Sequence, residues 1–248
     1  MKKLYEKNEV TFAVLMIVIY VVGTSISEAV TAGIGVNKLV PAIFHVIFAA
    51  LIYGWISKNG LKEKYGLFAP KYNAAKAWFF LPLVIVAFSG ILFGVKLQYS
   101  LLVTVLYIVS MLCVGFLEEI IFRGFLFVGM ARSNVLAAII VSSITFGLGH
   151  IVNLLNGKAF FETIVQIIFA VIVGFTLVVL FYRGKSLLPC IIFHGVNNAL
   201  SAIEKSNEEI AGTLSISKES YEMTVLAIII VILAVYSTVM YKKLSADK

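Results

Sequence analysis

Glu118, Glu119 and Arg123 are the only charged residues between Ser100 and Met130. They stand together in the run Glu118-Glu119-Ile120-Ile121-Phe122-Arg123, inside an apolar stretch long enough to cross a membrane. Carboxylates and a guanidinium in hydrocarbon are costly, so residues of this kind usually serve a function. On a helix, Glu119 and Arg123 are at i and i+4, share a face and can form an ion pair. Glu118 is turned by about 100° and needs a different partner. A staple between helices would account for Glu119 and Arg123 but not for Glu118.

Two further groups lie downstream. In Phe146-Gly147-Leu148-Gly149-His150, the glycines thin one side of a helix, so that a neighbouring helix or a substrate backbone can approach. A packing groove competes with that reading for the glycines. In His194-Gly195-Val196-Asn197-Asn198, His194 and Asn198 share one helix face. Taken alone, that pair reads as an interhelical hydrogen-bond cluster. At about 1.5 Å per residue, Glu118 lies roughly 20 Å deep, His150 roughly 24 Å, and His194 and Asn198 roughly 12–18 Å. All four fall in the middle band of a bilayer.

A desolvated glutamate is suited to take a proton from water and pass it on. Histidine can orient that water, share the proton or bind a metal. Asparagine and a second histidine can donate hydrogen bonds to an oxyanion. Together these are the parts for hydrolysing an amide. The sequence places no serine or cysteine convincingly as a nucleophile beside a base, so activated water is the better candidate.

The elements that must position these groups are membrane helices. The chain is 61% hydrophobic and 13% charged, against roughly a quarter charged in globular proteins, and its mean hydropathy is +1.02. Apolar runs near the spanning length of about 20 residues recur throughout. They predict an all-α, polytopic membrane helical bundle of about eight transmembrane helices, near 10–31, 39–57, 77–95, 100–130, 134–152, 161–181, 186–203 and 222–241. The first is read as a span, because it exceeds a signal-peptide core in length. No hydrophilic stretch is long enough to fold as a soluble domain.

The net charge of +7 does not indicate nucleic acid. With both termini cytoplasmic, fourteen lysines and arginines fall inside and five outside, as the positive-inside rule requires. Contact with anionic lipid is a secondary use of that charge. The location expected is a cell membrane, crossed many times. Seventeen lysines against three arginines point to an AT-rich bacterial genome. Cys113 and Cys190 read as small packing residues, and His45 as a packed, hydrogen-bonded histidine.

Glu118-Glu119-x-x-x-Arg123, Phe146-x-x-x-His150 and His194-x-x-x-Asn198 resemble, in order, the three motifs of the CPBP family (CAAX proteases and bacteriocin-processing proteins, also called Abi). The resemblance covers residues 100–203, flanked by motif-free helices in 1–99 and by an outer loop and last helix in 204–248. It implies an intramembrane endopeptidase acting on a peptide or protein substrate in or near the bilayer. On this resemblance Glu118 and His150 activate water, and His194 and Asn198 stabilise the oxyanion. Glu119 and Arg123 support the glutamate-bearing helix. The family has been described both as metalloproteases and as glutamate proteases, and the reading here favours no obligate metal. If zinc is bound, Glu118, His150 and His194 are its candidate ligands, although they lack a compact motif such as H-E-x-x-H. A proton-coupled transporter or channel is the competing reading, since Glu/His chains also relay protons. A non-catalytic immunity or regulatory protein of the same fold is a third.

Overall fold

A computed structural model describes residues 1–71, 78–154 and 157–244. The short helix α1 (Lys2–Lys7) precedes α2 (Glu9–Ile34), which starts on an Asn8 side-chain cap and ends at Gly35 in the left-handed region. After α3 (Leu39–Lys58) and the short α4 (Leu81–Phe88) comes α5 (Leu101–Glu118). It continues without interruption through a π-helix, Glu119–Phe127, into α6 (Val128–Ala131). Then follow α7 (Val135–Leu148) with a 3-10 extension Gly149–Leu154, α8 (Phe160–Gly184), α9 (Leu188–Leu200), α10 (Asn207–Thr213) and α11 (Lys218–Lys243).

The chain is a polytopic helical bundle, and among the described residues six helical segments are long and apolar enough to cross a membrane. The expected spans 77–95 and 186–203 turn out shorter (residue 77 lies outside the described residues). In the first, Pro82 sits in the opening turn of α4, which ends after eight residues and gives way to a 3-10 turn, Gly90–Phe93. In the second, Pro189 starts α9, which runs thirteen residues. Proline is tolerated in the first turn because its missing N–H has no partner there anyway. At about 1.5 Å per residue these helices reach roughly 12 and 20 Å, short of the ~30 Å hydrocarbon core. Apolarity along the chain continued past the helix ends, so it overstated helix length.

The segment around Glu9 and the last described residue, Leu244, lie at one end of the bundle. Glu9 pairs with Lys64 at 2.7 Å and Arg132 at 3.2 Å, and Gly66 O accepts from Leu187 N at 2.8 Å. Arg183 Nε donates to Leu244 O at 2.9 Å at this same end. At the opposite end, Lys96 N donates to Ile203 O at 2.8 Å, and α10 is capped by a reciprocal Ser206–Glu209 box.

Two close approaches set the core of the bundle. A Cβ on Gly115 would lie 2.4 Å from Gly195 N and 2.5 Å from Gly195 Cα. Only glycine lets α5 and α9 touch backbone to backbone there, as in small-residue membrane interfaces generally. A Cβ on Gly147 would lie 3.0 Å from Ile167 O and 2.3 Å from the Val171 side chain. That glycine serves the α7–α8 contact, as the packing reading expects. Buried His45 bridges Ser110 (2.8 Å) and Thr24 (3.0 Å), tying α3 to α5 and α2. Cys190 is buried and donates to Leu177 O at 3.4 Å, also a packing role.

Candidate active site

The charged run lies at the junction of α5, which ends at Glu118, and the π-helix, which holds Glu119 and Arg123. A π-turn trades i→i+4 hydrogen bonds for i→i+5 ones, is rare, and occurs mostly at functional sites. All nine of its residues are buried. Ser142 Oγ on α7 donates to Phe122 O at 2.9 Å, giving that carbonyl a partner inside the apolar core.

Arg123 Nη1 lies 3.1 Å from Glu119 Oε1, and both side chains are fully buried. The expected i, i+4 pair is therefore present. Arg123 also stacks on Phe146, its Cζ 4.1 Å from the ring centroid. Gly174 on α8 leaves room for this stack, because a Cβ there would lie 3.0 Å from Phe146 Cδ1 and 3.3 Å from Arg123 Nη2.

Glu118 has partners other than Arg123, as its turn on the helix requires, and one of them, His194, it shares with Glu119. The Gly115–Gly195 contact sets the imidazole between the two carboxylates. Its Nδ1 is 2.7 Å from Glu119 Oε1, and its Nε2 is 3.3 Å from Glu118 Oε2. One ring, with nitrogens at opposite edges, spans the angle between consecutive helix residues.

Charge counting constrains the protons. An ionised Glu119 only accepts, so His194 Nδ1 is the donor in the shorter contact. Glu118 Oε1 accepts from the Tyr20 hydroxyl at 2.6 Å. The 3.3 Å contact between Nε2 and Glu118 Oε2 is attractive only if one of them carries a proton. With that proton, two carboxylates, one guanidinium and one imidazole sum to zero. Buried charge balanced in this way avoids the large penalty of an unpaired ion.

His150 sits in the 3-10 extension of α7, close enough to Glu118 and His194 to interact electrostatically with both. Its Nδ1 is 3.3 Å from Gln166 Nε2. Gln166 Oε1 accepts from Asn153 at 2.8 Å and from Lys158 at 2.9 Å, which fixes the amide's orientation. Phe146 meets both imidazoles, its ring centroid 5.7 Å from that of His150 and 5.6 Å from that of His194, both edge to face.

Asn198 is half-buried, and its Oδ1 accepts from Asn197 Nδ2 at 3.4 Å. It borders a cavity of about 570 Å³ that Gln166 also lines. Glu118, Glu119, His150 and His194 do not line it. The structure thus brings Glu118, Glu119, Arg123 and His194 into direct contact, sets His150 against Phe146, whose ring also meets His194, and leaves Asn198 at the edge of a neighbouring cavity.

Tyr20 and Gln166 are missed by sequence reasoning. Neither belongs to a spaced motif, and each is one of several polar groups on a long apolar helix.

The zinc option is not supported by this arrangement. Among the described residues, no three His, Cys, Asp or Glu side chains are grouped to hold a metal ion. The nitrogens of His194 face carboxylates, and His150 Nδ1 faces an amide.

Residues 100–200 match the family model described as type II CAAX prenyl endopeptidase Rce1-like. Comparison with curated proteins and with solved structures returned no match. The matched segment carries all three motifs and every residue of the charged cluster except Tyr20.

Proposed function

We propose that this chain is a membrane protease that hydrolyses peptide bonds with water activated by Glu118, a reading supported by the match of residues 100–200 to the type II CAAX prenyl endopeptidase Rce1-like family model. The observation that carries the proposal is the chain of contacts Arg123–Glu119–His194–Glu118–Tyr20. A carboxylate orienting an imidazole toward a second reacting group is a recurring catalytic arrangement.

In the proposed reaction, Glu118 Oε2 takes a proton from water as the oxygen attacks the scissile carbonyl. The tetrahedral oxyanion accepts from His194 Nε2–H, with Asn198 Nδ2 as a second donor. His150 helps orient the attacking water. Collapse of the intermediate breaks the C–N bond, and Glu118 returns its proton to the leaving amine. No step is routed through a metal. Substrate is a membrane-associated peptide or protein, and the family model's name makes a prenylated one the first to try.

The test is cleavage of membrane-anchored peptides, prenylated and unprenylated, by the purified chain in proteoliposomes. Cleavage is expected to survive exhaustive chelation. Loss on chelation with recovery on adding zinc would overturn the metal-independent part. Proton flux driven by substrate, without hydrolysis, would overturn the whole.

Tyr20 acts here as a positioning residue. Its hydroxyl holds Oε1 and leaves Oε2 toward the reacting water. Tyr20→Phe is expected to lower kcat about ten-fold, the loss of one charge-assisted hydrogen bond of roughly 1.5 kcal/mol, with KM unchanged. A purely structural tyrosine would show lower thermal stability and unaltered kcat.

A further inference from the structure

At the bundle end that holds Glu9 and Leu244, a second cavity of about 440 Å³ opens between the segment after α3, the end of the π-helix, α6, α7 and α8. Its lining combines the cations Lys64, Arg132 and Lys185 with the aromatic rings of Phe68, Phe127 and Tyr182. Glu63 is the only carboxylate in that lining. Glu9, nearby, is already shared between Lys64 and Arg132 at 2.7 and 3.2 Å.

Lys185 has no carboxylate partner among the described residues, and its Nζ lies 4.6 Å from the Tyr182 ring centroid. Burial, and then the neighbouring Arg183 guanidinium, hold its ammonium below the ordinary lysine range. A bound anion would offset both effects. The backbone adds an independent observation. Lys185 caps α8 at φ 62°, in the left-handed region, although the preceding residue is a glycine. A lysine there is strained, and strain kept at one residue is a sign that its side chain is wanted in that place. The wall beside it is pinned by Ser186 Oγ donating to Phe68 O at 2.6 Å and by Leu187 N donating to Gly66 O at 2.8 Å.

We infer that this cavity is a binding site for an anionic phospholipid, with the headgroup phosphate between Lys185 and Arg132 and the acyl chains along the aromatic wall. Its position supports this reading, because the cations stand where α7 begins and α8 ends, at the level of the lipid headgroups. Basic pockets between membrane helices recognise anionic headgroups in this way. The site is distinct from the charged cluster, so the inference does not depend on the protease reading.

The experiment uses the full chain in neutral detergent, with retained lipid counted by native mass spectrometry. Phosphatidylglycerol is expected to bind in preference to phosphatidylcholine. Lys185→Gly removes the charge while relaxing the strained backbone, so folding should be preserved. It is expected to weaken phosphatidylglycerol binding about five-fold, the effect of one basic residue near a charged headgroup, and to leave phosphatidylcholine unchanged. Equal retention of the two lipids, or phosphatidylglycerol binding unaffected by Lys185→Gly, would overturn the inference. Glycerol 3-phosphate competing as well as the lipid would make this a free-phosphate site, and the lipid assignment would fail.

Discussion

Glu118→Gln is expected to slow peptide hydrolysis by about 10²–10⁴-fold, the range over which a positioned general base acts, while the chain stays folded. Glutamine keeps the shape of the side chain, and its carbonyl oxygen can still accept from Tyr20. Its amide cannot take a proton from water. Single-turnover cleavage in proteoliposomes gives the rate, and thermal unfolding of the same sample reports the fold. A rate within three-fold of the unmodified chain, with binding intact, would remove Glu118 from the chemistry and leave the cluster a structural one. The companion substitution Glu119→Gln should act differently. It leaves His194 Nδ1 only a neutral acceptor and takes the counter-charge from Arg123, so stability and activity should fall together.

The largest effect on stability is expected at Arg123. Arg123→Ala should cost about 3–5 kcal/mol, as breaking a buried ion pair from one side does. Glu119 would be left fully buried with His194 as its remaining partner, and the Phe146 face would lose its cation. Combining Arg123→Met with Glu119→Gln should cost less than the sum of the two singles, because neither charge is then stranded. Denaturant unfolding in bicelles measures all three, and strict additivity would show that the two residues do not act as a pair.

The helical class, the six long segments and the charged run were legible in the sequence because each rests on composition or on spacing along one helix. Glu119 and Arg123 are four residues apart, and helix geometry alone brings them together. His194 could be seen as a candidate, but its place between two carboxylates depends on Gly115 meeting Gly195. Nothing in either glycine's neighbourhood names the other. The π-helix was hidden for a related reason, since a wider turn is chosen by what packs around it. Tyr20 was hidden most completely. It is one of eleven tyrosines, and only the packing of α2 shows which hydroxyl meets a carboxylate.

The charge balance of the cluster bears on how the molecule is made. Glu118, Glu119 and Arg123 enter the bilayer on one segment, and His194 follows 75 residues after Glu119. Until α9 arrives, that segment carries one negative charge in excess, unless Glu118 is protonated. Helices that insert in order from the ribosome would therefore have to shelter α5 behind α2, where Tyr20 already waits. A proton on Glu118 would neutralise that excess until His194 arrives.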